Sequence, residues 1–397
     1  MEDLSENKKT KLSMLNLKLQ YSFMKSEIDA AIEKCLNHQN WILGDEVYEL
    51  EQKFSKYLDA KHCIGTSSGT DALVISLRAI AIKYKNKEYF NKNDLIITTP
   101  FTFTATGDSI LRSGANVVFI DIDPNTYNID INKVDDFLKT NKKNIIGIIP
   151  VHLFGLSCNM DLLTKTAQNN NLFIVEDVAQ AFGATWNNKK LGTFGILGAF
   201  SFFPSKILGA FGDAGMVSTN DDEIAEIIRM LIKHGGKDKY NIEHIGYNAR
   251  LDTIQAAILI AKFEYIEELN KKRNIISNIY IEELRGISEI ILPLNPFKNN
   301  TTHLYHQFTI RVLNNKRNLL QSFLKEKGID TMVYYPVPLH KMKVFKGRCI
   351  IPSSLSISEN IVKEVLSLPI EPLMKTEDVY YITDSIREFF NKDYDKR

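Results

Sequence analysis

Lys206 stands alone between apolar runs in AFSFFPSKILGAFGDAG. A lysine drawn into such surroundings loses the hydration that favours its ammonium form, so its amine becomes nucleophilic and able to form a Schiff base with a carbonyl. A lysine threading its stem past the same residues to solvent is the competing reading. Upstream, the run Phe173-Ile174-Val175-Glu176 leads into Asp177. A carboxylate there needs a cation or several donors, because its desolvation is costly. A protonated ring nitrogen would serve, and holding that proton makes the ring an electron sink. A helix cap or an internal ion pair would serve as well. Gln180, one helical turn further on, could reach a ring hydroxyl.

Two more places complete the pattern. Ser67-Ser68-Gly69-Thr70 follows a short apolar run and opens a helix whose apolar face is Leu73, Leu77 and Ile80. There Gly69 lets the backbone approach closely, and free N–H groups with the helix dipole favour a phosphate, although many such turns are only helix caps. Phe103, in TPFTFTAT, follows LIITT and could lie flat on a heteroaromatic ring; core packing is its bland alternative. Ser201, five residues before Lys206, is placed to reach a phosphate oxygen. A phosphate cradle, a ring-stacking aromatic, an Asp and a Lys in succession describe one cofactor, pyridoxal 5'-phosphate.

These residues need a common platform. Apolar runs at His62–Thr66, Leu95–Thr99, Val117–Asp121, Ile145–Val151, Leu172–Glu176, Ala199–Phe203 and Met216–Ser218 alternate with helical patterns. Most are solid rather than alternating, which predicts strands covered on both faces in a doubly wound α/β domain. In such sheets ligands sit beyond the carboxyl ends of the strands, where the chemistry-bearing residues fall. From Leu251 to about Leu284 the pattern predicts one long helical connector. Beyond it HQFTIRVL reads as a strand, KRNLLQSFLKEKG as a helix ended by Gly328, DTMVYYPV as a strand, and Asp378–Phe390 as a final helix. A large domain over residues 1–250 and a smaller α+β unit over 251–397 are expected.

Composition narrows the classes. The 397 residues are 44% hydrophobic and 24% charged, with 49 Lys and Arg against 48 Asp and Glu, so no global charge argues for nucleic acid or an anionic membrane. Cys35, Cys63, Cys158 and Cys349 form neither a CxxC pair nor a Cys/His cluster at zinc spacing, and no metal is expected. The polar start MEDLSENKKTKLSM and the lack of a membrane-length apolar stretch make the cytoplasm the expected location. Gly209, Gly212 and Gly215 do not form GxGxxG, which argues against a nicotinamide enzyme.

At this point the sequence resembles the DegT/DnrJ/EryC1/StrS family of nucleotide-sugar aminotransferases, a fold type I, aspartate aminotransferase-like group. The matching stretches run from about Asn40 to Met374 and include WILGDEV, SSGTDAL, TPFTFTAT, VFIDIDPNTYNID, PVHLFG, EDVAQAFGA, SFFPSK, GDAGMVSTND and GYNARLDTIQAAIL. The resemblance implies a mostly parallel α/β large domain with a smaller α+β C-terminal domain. It makes Lys206 the Schiff-base lysine and Asp177 the partner of the pyridine nitrogen. Gly69, Thr70 and Ser201 match phosphate ligands, Phe103 the stacking aromatic, and Gln180 the residue near the ring oxygen. Asn248 matches an asparagine that reaches the neighbouring subunit's cofactor, implying a homodimer with shared active sites. Glutamate and a nucleotide-linked ketosugar are the implied substrates.

Finer assignments rest on shorter segments. Lys206 disfavours the dehydratase relatives, which carry histidine there. HGGKDKYNIEHIGYNARLDTIQ is similar to members acting on 3-ketosugars, so carbon 3 of a dTDP-3-keto-6-deoxyhexose destined for a surface glycan is expected. A carbon-4 enzyme or a UDP-linked 3-ketosugar is the alternative, and a non-catalytic regulator of the same fold is the competing class. His152 could face the sugar, or be a hydrogen-bonded core histidine. Lys237 and Tyr240 could meet the nucleotide diphosphate, or lie in a solvated loop with Lys239. His306 and Tyr334 lie in matching segments without a readable role.

Overall fold

The computed structural model describes residues 11–141, 144–294 and 300–391. Eight strands form the main sheet: β1 (His62–Thr66), β2 (Leu95–Thr98), β3 (Asn116–Phe119), β4 (Ile145–Ile148), β5 (Phe173–Asp177), β8 (Leu197–Ser201), β9 (Gly215–Thr219) and β12 (Cys349–Ile350). A small hairpin supplies β6 (Thr185–Trp186) and β7 (Lys189–Lys190), and a second sheet is built from β10 (Ile290–Ile291), β11 (Phe308–Val312) and β13 (Val365–Leu368). The main sheet runs β1-β9-β8-β5-β4-β2-β3-β12. It is parallel from β8 to β12, whereas β9 is antiparallel to both its neighbours.

The solid apolar runs are explained by burial on both faces. Ile97, Val118, Ile148 and Ile174 enter one core, and their neighbours Ile96, Val117, Ile149 and Val175 enter the other. Each predicted run of the large domain is a strand here, with ends shifted by a few residues. The large sheet takes its edge strand β12 from beyond residue 251, although Cys349 lies far inside the expected C-terminal unit.

The second sheet is antiparallel and shares a core with the helices Ile266–Leu284, Arg317–Glu326 and Thr376–Asn391. Two expectations are corrected here. The connector is two helices, Thr253–Phe263 and Ile266–Leu284, separated at Glu264–Tyr265. Ala256 and Leu259 pack into the large core, while Ile276, Tyr280 and Leu284 pack into the small one, so the two halves serve different cores. The segment DTMVYYPV is not a strand: only Met332 bridges Ser367, and β13 takes the place beside β11. Its tyrosines are drawn instead to the large domain's ligand-side surface, as described below. No helix among the described residues is long and apolar enough to cross a membrane.

The two parts are also tied by hydrogen bonds. Asp121, just beyond β3 and fully buried, accepts from the backbone N–H groups of Ile357 and Ser358, each at 2.9 Å. It thereby caps the Ser356–Glu364 helix, which has no side-chain cap of its own.

Candidate active site

β5 and β8 are adjacent and parallel, with Asp177 in register with Ala199. Asp177 and Ser201 thus end neighbouring strands, and Lys206 sits on the turn that leaves β8. On the other side of β9, β1 delivers Ser68-Gly69-Thr70 to the same edge. Ser68 adopts extended backbone and its hydroxyl accepts the Asp71 N–H, so the Gly69–Lys85 helix begins with its free N–H groups at the strand ends. A side chain at Gly69 would bring a Cβ within 2.5 Å of the Ser201 Cβ. The absent Cβ lets the turn after β1 close against the end of β8, bringing cradle and serine together.

Asp177 is 5% exposed. Its carboxylate accepts from Thr106 Oγ1 at 2.8 Å and from the Ala179 N–H at 3.2 Å. Burial nevertheless pushes its pKa up, against the lowering effect of those two donors and of the positive charge at Lys206. The donors present do not compensate the desolvated charge, which is the condition a protonated ring nitrogen would relieve. Burial also draws the Lys206 amine down to about 8, with Asp177 opposing the shift. No hydrogen bond or ion pair occupies Lys206 Nζ among the described residues, so the amine is available to a carbonyl.

Gln180 is buried, and its Oε1 accepts from the Phe154 N–H at 2.8 Å while its Nε2 donates to the Tyr335 hydroxyl at 2.8 Å. One N–H of its amide stays free for a ring oxygen. Phe103 is 56% exposed, with its ring centroid 6.3 Å from that of Tyr335. An aromatic left that open is not core packing, and it suits a ring cover. Thr106 and Tyr335 escaped the sequence reading. The third threonine of TFTAT, in the first turn of its helix, is the available signal for Thr106; the strand expected over DTMVYYPV hides Tyr335. His306 is also nearby: burial lowers its imidazole well below the ordinary range, and the charges of Lys206 and Arg273 push the same way.

The expectation that His152 faces a sugar is corrected by its surroundings. The residue is fully buried, its Nδ1 accepts from the Cys158 N–H at 3.1 Å, and its Nε2 lies 3.1 Å from Glu176 Oε2. Glu176 in turn accepts from the backbone N–H groups of Gly192, Phe194 and Gly195. Both ring nitrogens are therefore committed to the core. Lys237 pairs with Glu243 at 2.7 Å, and Tyr240 is 86% exposed; neither makes a hydrogen bond or ion pair with the residues above. Asn248 is exposed with its Oδ1 engaged by Arg250, while Ala249 O accepts from the Ser67 N–H. The segment therefore runs beside the cradle of its own chain.

The residues fit pyridoxal phosphate. Gly69, Thr70 and Ser201 would hold the phosphate, Asp177 the ring nitrogen, Phe103 a ring face, and Lys206 the carbonyl carbon. When bound, the cofactor supplies a carbonyl for amines and an electron-withdrawing ring. The chain would supply the rest: Asp177 Oδ would hold the proton on the ring nitrogen, and Lys206 Nζ would move a proton at the substrate carbon.

A half-buried lysine and a buried carboxylate beyond the carboxyl ends of a mostly parallel sheet, backed by a smaller α+β unit, define a pyridoxal-phosphate-dependent transferase of the aspartate aminotransferase-like, type I fold. The chain belongs to the DegT/DnrJ/EryC1/StrS aminotransferase family, whose model matches residues 22–387, and it is a sugar aminotransferase. It is 42% identical to a pleiotropic regulatory protein of Geobacillus stearothermophilus, over 95% of this chain and 98% of the relative. It is 37% identical, over 95% and 98%, to UDP-N-acetyl-3-dehydro-alpha-D-glucosamine 3-aminotransferase of Acidithiobacillus ferrooxidans. It is 36% identical, with the same coverage, to dTDP-3-amino-3,6-dideoxy-alpha-D-galactopyranose transaminase of Aneurinibacillus thermoaerophilus. Among solved structures, NtdA of Bacillus subtilis with bound PMP superposes with a TM-score of 0.87 at 27% identity, covering 96% of this chain and 86% of that one.

Two outcomes are expected. Asp177→Asn keeps the side-chain shape but removes the charge, so the protein folds and turnover falls roughly 10²-fold or more. Unchanged turnover with an unchanged cofactor spectrum would make Asp177 a structural cap. Because only the neutral amine reacts, labelling of Lys206 in the apoenzyme by an amine-directed acylating reagent rises as pH increases through about 8 and levels off above. Exposed lysines titrate near 10.4. A Lys206 midpoint near theirs, read by peptide mass spectrometry, would contradict the burial argument.

Proposed function

We propose that the chain transfers the amino group of glutamate to carbon 3 of a dTDP-linked 3-keto-6-deoxyhexose, for surface-glycan synthesis in the cytoplasm. The observation that carries catalysis is the Lys206–Asp177 pair: both groups are pushed by burial toward their neutral forms, an arrangement with a use in proton transfer and none in a scaffold. That favours an enzyme over a regulator, even though the relative at 42% identity carries a regulatory name. Carbon 3 is supported by the HGGKDKY…NARLDTIQ segment and by the names of the relatives at 37% and 36% identity, both of which place the amino group there. A UDP-linked 3-ketosugar is the second reading, favoured by the relative at 37%.

The active site is proposed to be shared in a homodimer, with Asn248 completing the partner's phosphate site. Its exposure and its place in GYNARLD, the segment that resembles the family's intersubunit asparagine, support that reading. Lys237 and Tyr240, on an outward-facing loop, are proposed to meet the nucleotide diphosphate of the neighbour rather than of their own site.

Incubation with glutamate and a panel of dTDP-, UDP- and GDP-linked 3- and 4-ketosugars should give a 3-amino product from the dTDP-linked 3-ketosugar. A 4-amino product from a 4-ketosugar would overturn the regiochemistry, and preference for a UDP-linked 3-ketosugar would select the second reading. Shared sites predict complementation. Lys206→Ala and Asn248→Trp are each inactive, but a mixed dimer gathers both lesions in one site. Random subunit exchange should then restore about a quarter of wild-type activity per subunit; demonstrated exchange without recovery contradicts sharing.

A further inference from the structure

At the other end of the N-terminal region, the last turn of the Lys25–His38 helix and the first turn of the Asp45–Leu58 helix bring Cys35, His38 and Glu46 together. One candidate ligand atom from each lies within 4.8 Å of the other two. Cys35 and His38 are three residues apart and so share a helix face, and the chain's turn adds Glu46 to them. We propose that Cys35, His38 and Glu46 form a binding site for Zn²⁺, with three protein ligands and a fourth position open to water.

The donor set argues for this ion. A thiol sulfur, an imidazole nitrogen and a carboxylate oxygen suit borderline-soft Zn²⁺ and not Mg²⁺ or Ca²⁺, which take oxygen ligands. His38 Nε2 lies 3.4 Å from Glu46 Oε1, close to the roughly 3.3 Å edge of a tetrahedron whose metal–ligand bonds are about 2.0 Å. Glu46 is 3% exposed, and its Oε2 is buried with no hydrogen-bond partner. An unpartnered, buried carboxylate oxygen is costly, and a cation bound by the Glu46 carboxylate would relieve it.

Two existing contacts must yield. Lys34 Nζ lies 2.9 Å from Glu46 Oε1, but its side chain is 62% exposed and can turn to solvent. The Asn40 N–H donates to His38 Nδ1 at 3.0 Å; coordination through Nε2 places the imidazole proton on Nδ1, and the exposed Asn40 N–H passes to water. The Cys35 thiol proton is released to solvent on coordination. The occupied site would clip residues 39–45 into place. Within that turn Trp41 O accepts from the Thr253 N–H and the Gly44 N–H donates to Thr253 Oγ1. The bound ion therefore braces the contact between the N-terminal helices and the Thr253–Phe263 helix. The sequence spacing hides the site, because the third ligand arrives on a different helix.

The test is Zn²⁺ binding by the holoenzyme, measured by equilibrium dialysis against a zinc-buffering chelator with metal analysis. The wild type should take up one Zn²⁺ per chain that His38→Gln and Cys35→Ser each weaken by at least roughly tenfold. Lys34→Gln should tighten it severalfold, since it frees Glu46 of a competing ammonium. His38 is at the surface, so His38→Gln serves even if the buried Cys35→Ser misfolds. Absence of that Zn²⁺ in the wild type, equal uptake by His38→Gln, or weaker uptake by Lys34→Gln would overturn the site and leave Glu46 as the ion-pair partner of Lys34.

Discussion

An ammonium and a carboxylate drawn out of water into one cleft set the terms for the rest of this structure. Removing two charges from water costs several kcal/mol each, and their mutual attraction returns that only with close geometry and full hydrogen bonding. Lys206 and Asp177 have neither: the carboxylate is turned toward Thr106 and Ala179, and the amine has no bonded partner. Burial therefore pushes the acid up and the amine down. That imbalance is tolerable in a site that receives a cationic ring nitrogen and a carbonyl. The strands β5 and β8 run parallel so that both groups emerge at one edge, and Gly69 lacks a side chain so that the phosphate cradle closes on Ser201 at that edge.

Much of this was legible in the sequence because the large domain's strands are buried on both faces. Unbroken apolar runs such as Phe173–Val175 mark them, and the polar residues that interrupt the pattern at their ends are the ones with chemistry to do. The cues fail where tertiary contacts outweigh local pattern. DTMVYYPV has the composition of a strand, yet Tyr335 is held by Gln180 of the large domain. The long helical pattern after Leu251 continues in sequence but is broken at Glu264–Tyr265 in space, because its halves belong to different cores.

Side-chain partners were the least legible level. His152 follows a strand at the site's edge, and only the structure reveals that Cys158 and Glu176 take both of its nitrogens. Thr106 and Tyr335 touch site residues through contacts spanning 71 and 155 residues. Cys35, His38 and Glu46 show the same limit: two share a helix face, and the third comes into range only when the chain reverses after Gln39.

Among the described residues, buried Lys262 and half-buried Lys206 and Lys190 have pKa values lowered by desolvation. Lowered pKa alone therefore does not single out the cofactor lysine. Lys262 donates to Gly209 O and Lys190 to Gly183 O and the Tyr57 hydroxyl, whereas Lys206 is uncommitted and close enough to Asp177 for their charges to interact. Reduction of the holoenzyme with sodium borohydride, followed by peptide mapping, fixes the cofactor to whichever lysine holds it. The pyridoxyl group is expected on Lys206 alone, and its recovery on Lys262, on Lys190 or on no lysine would contradict the assignment of Lys206.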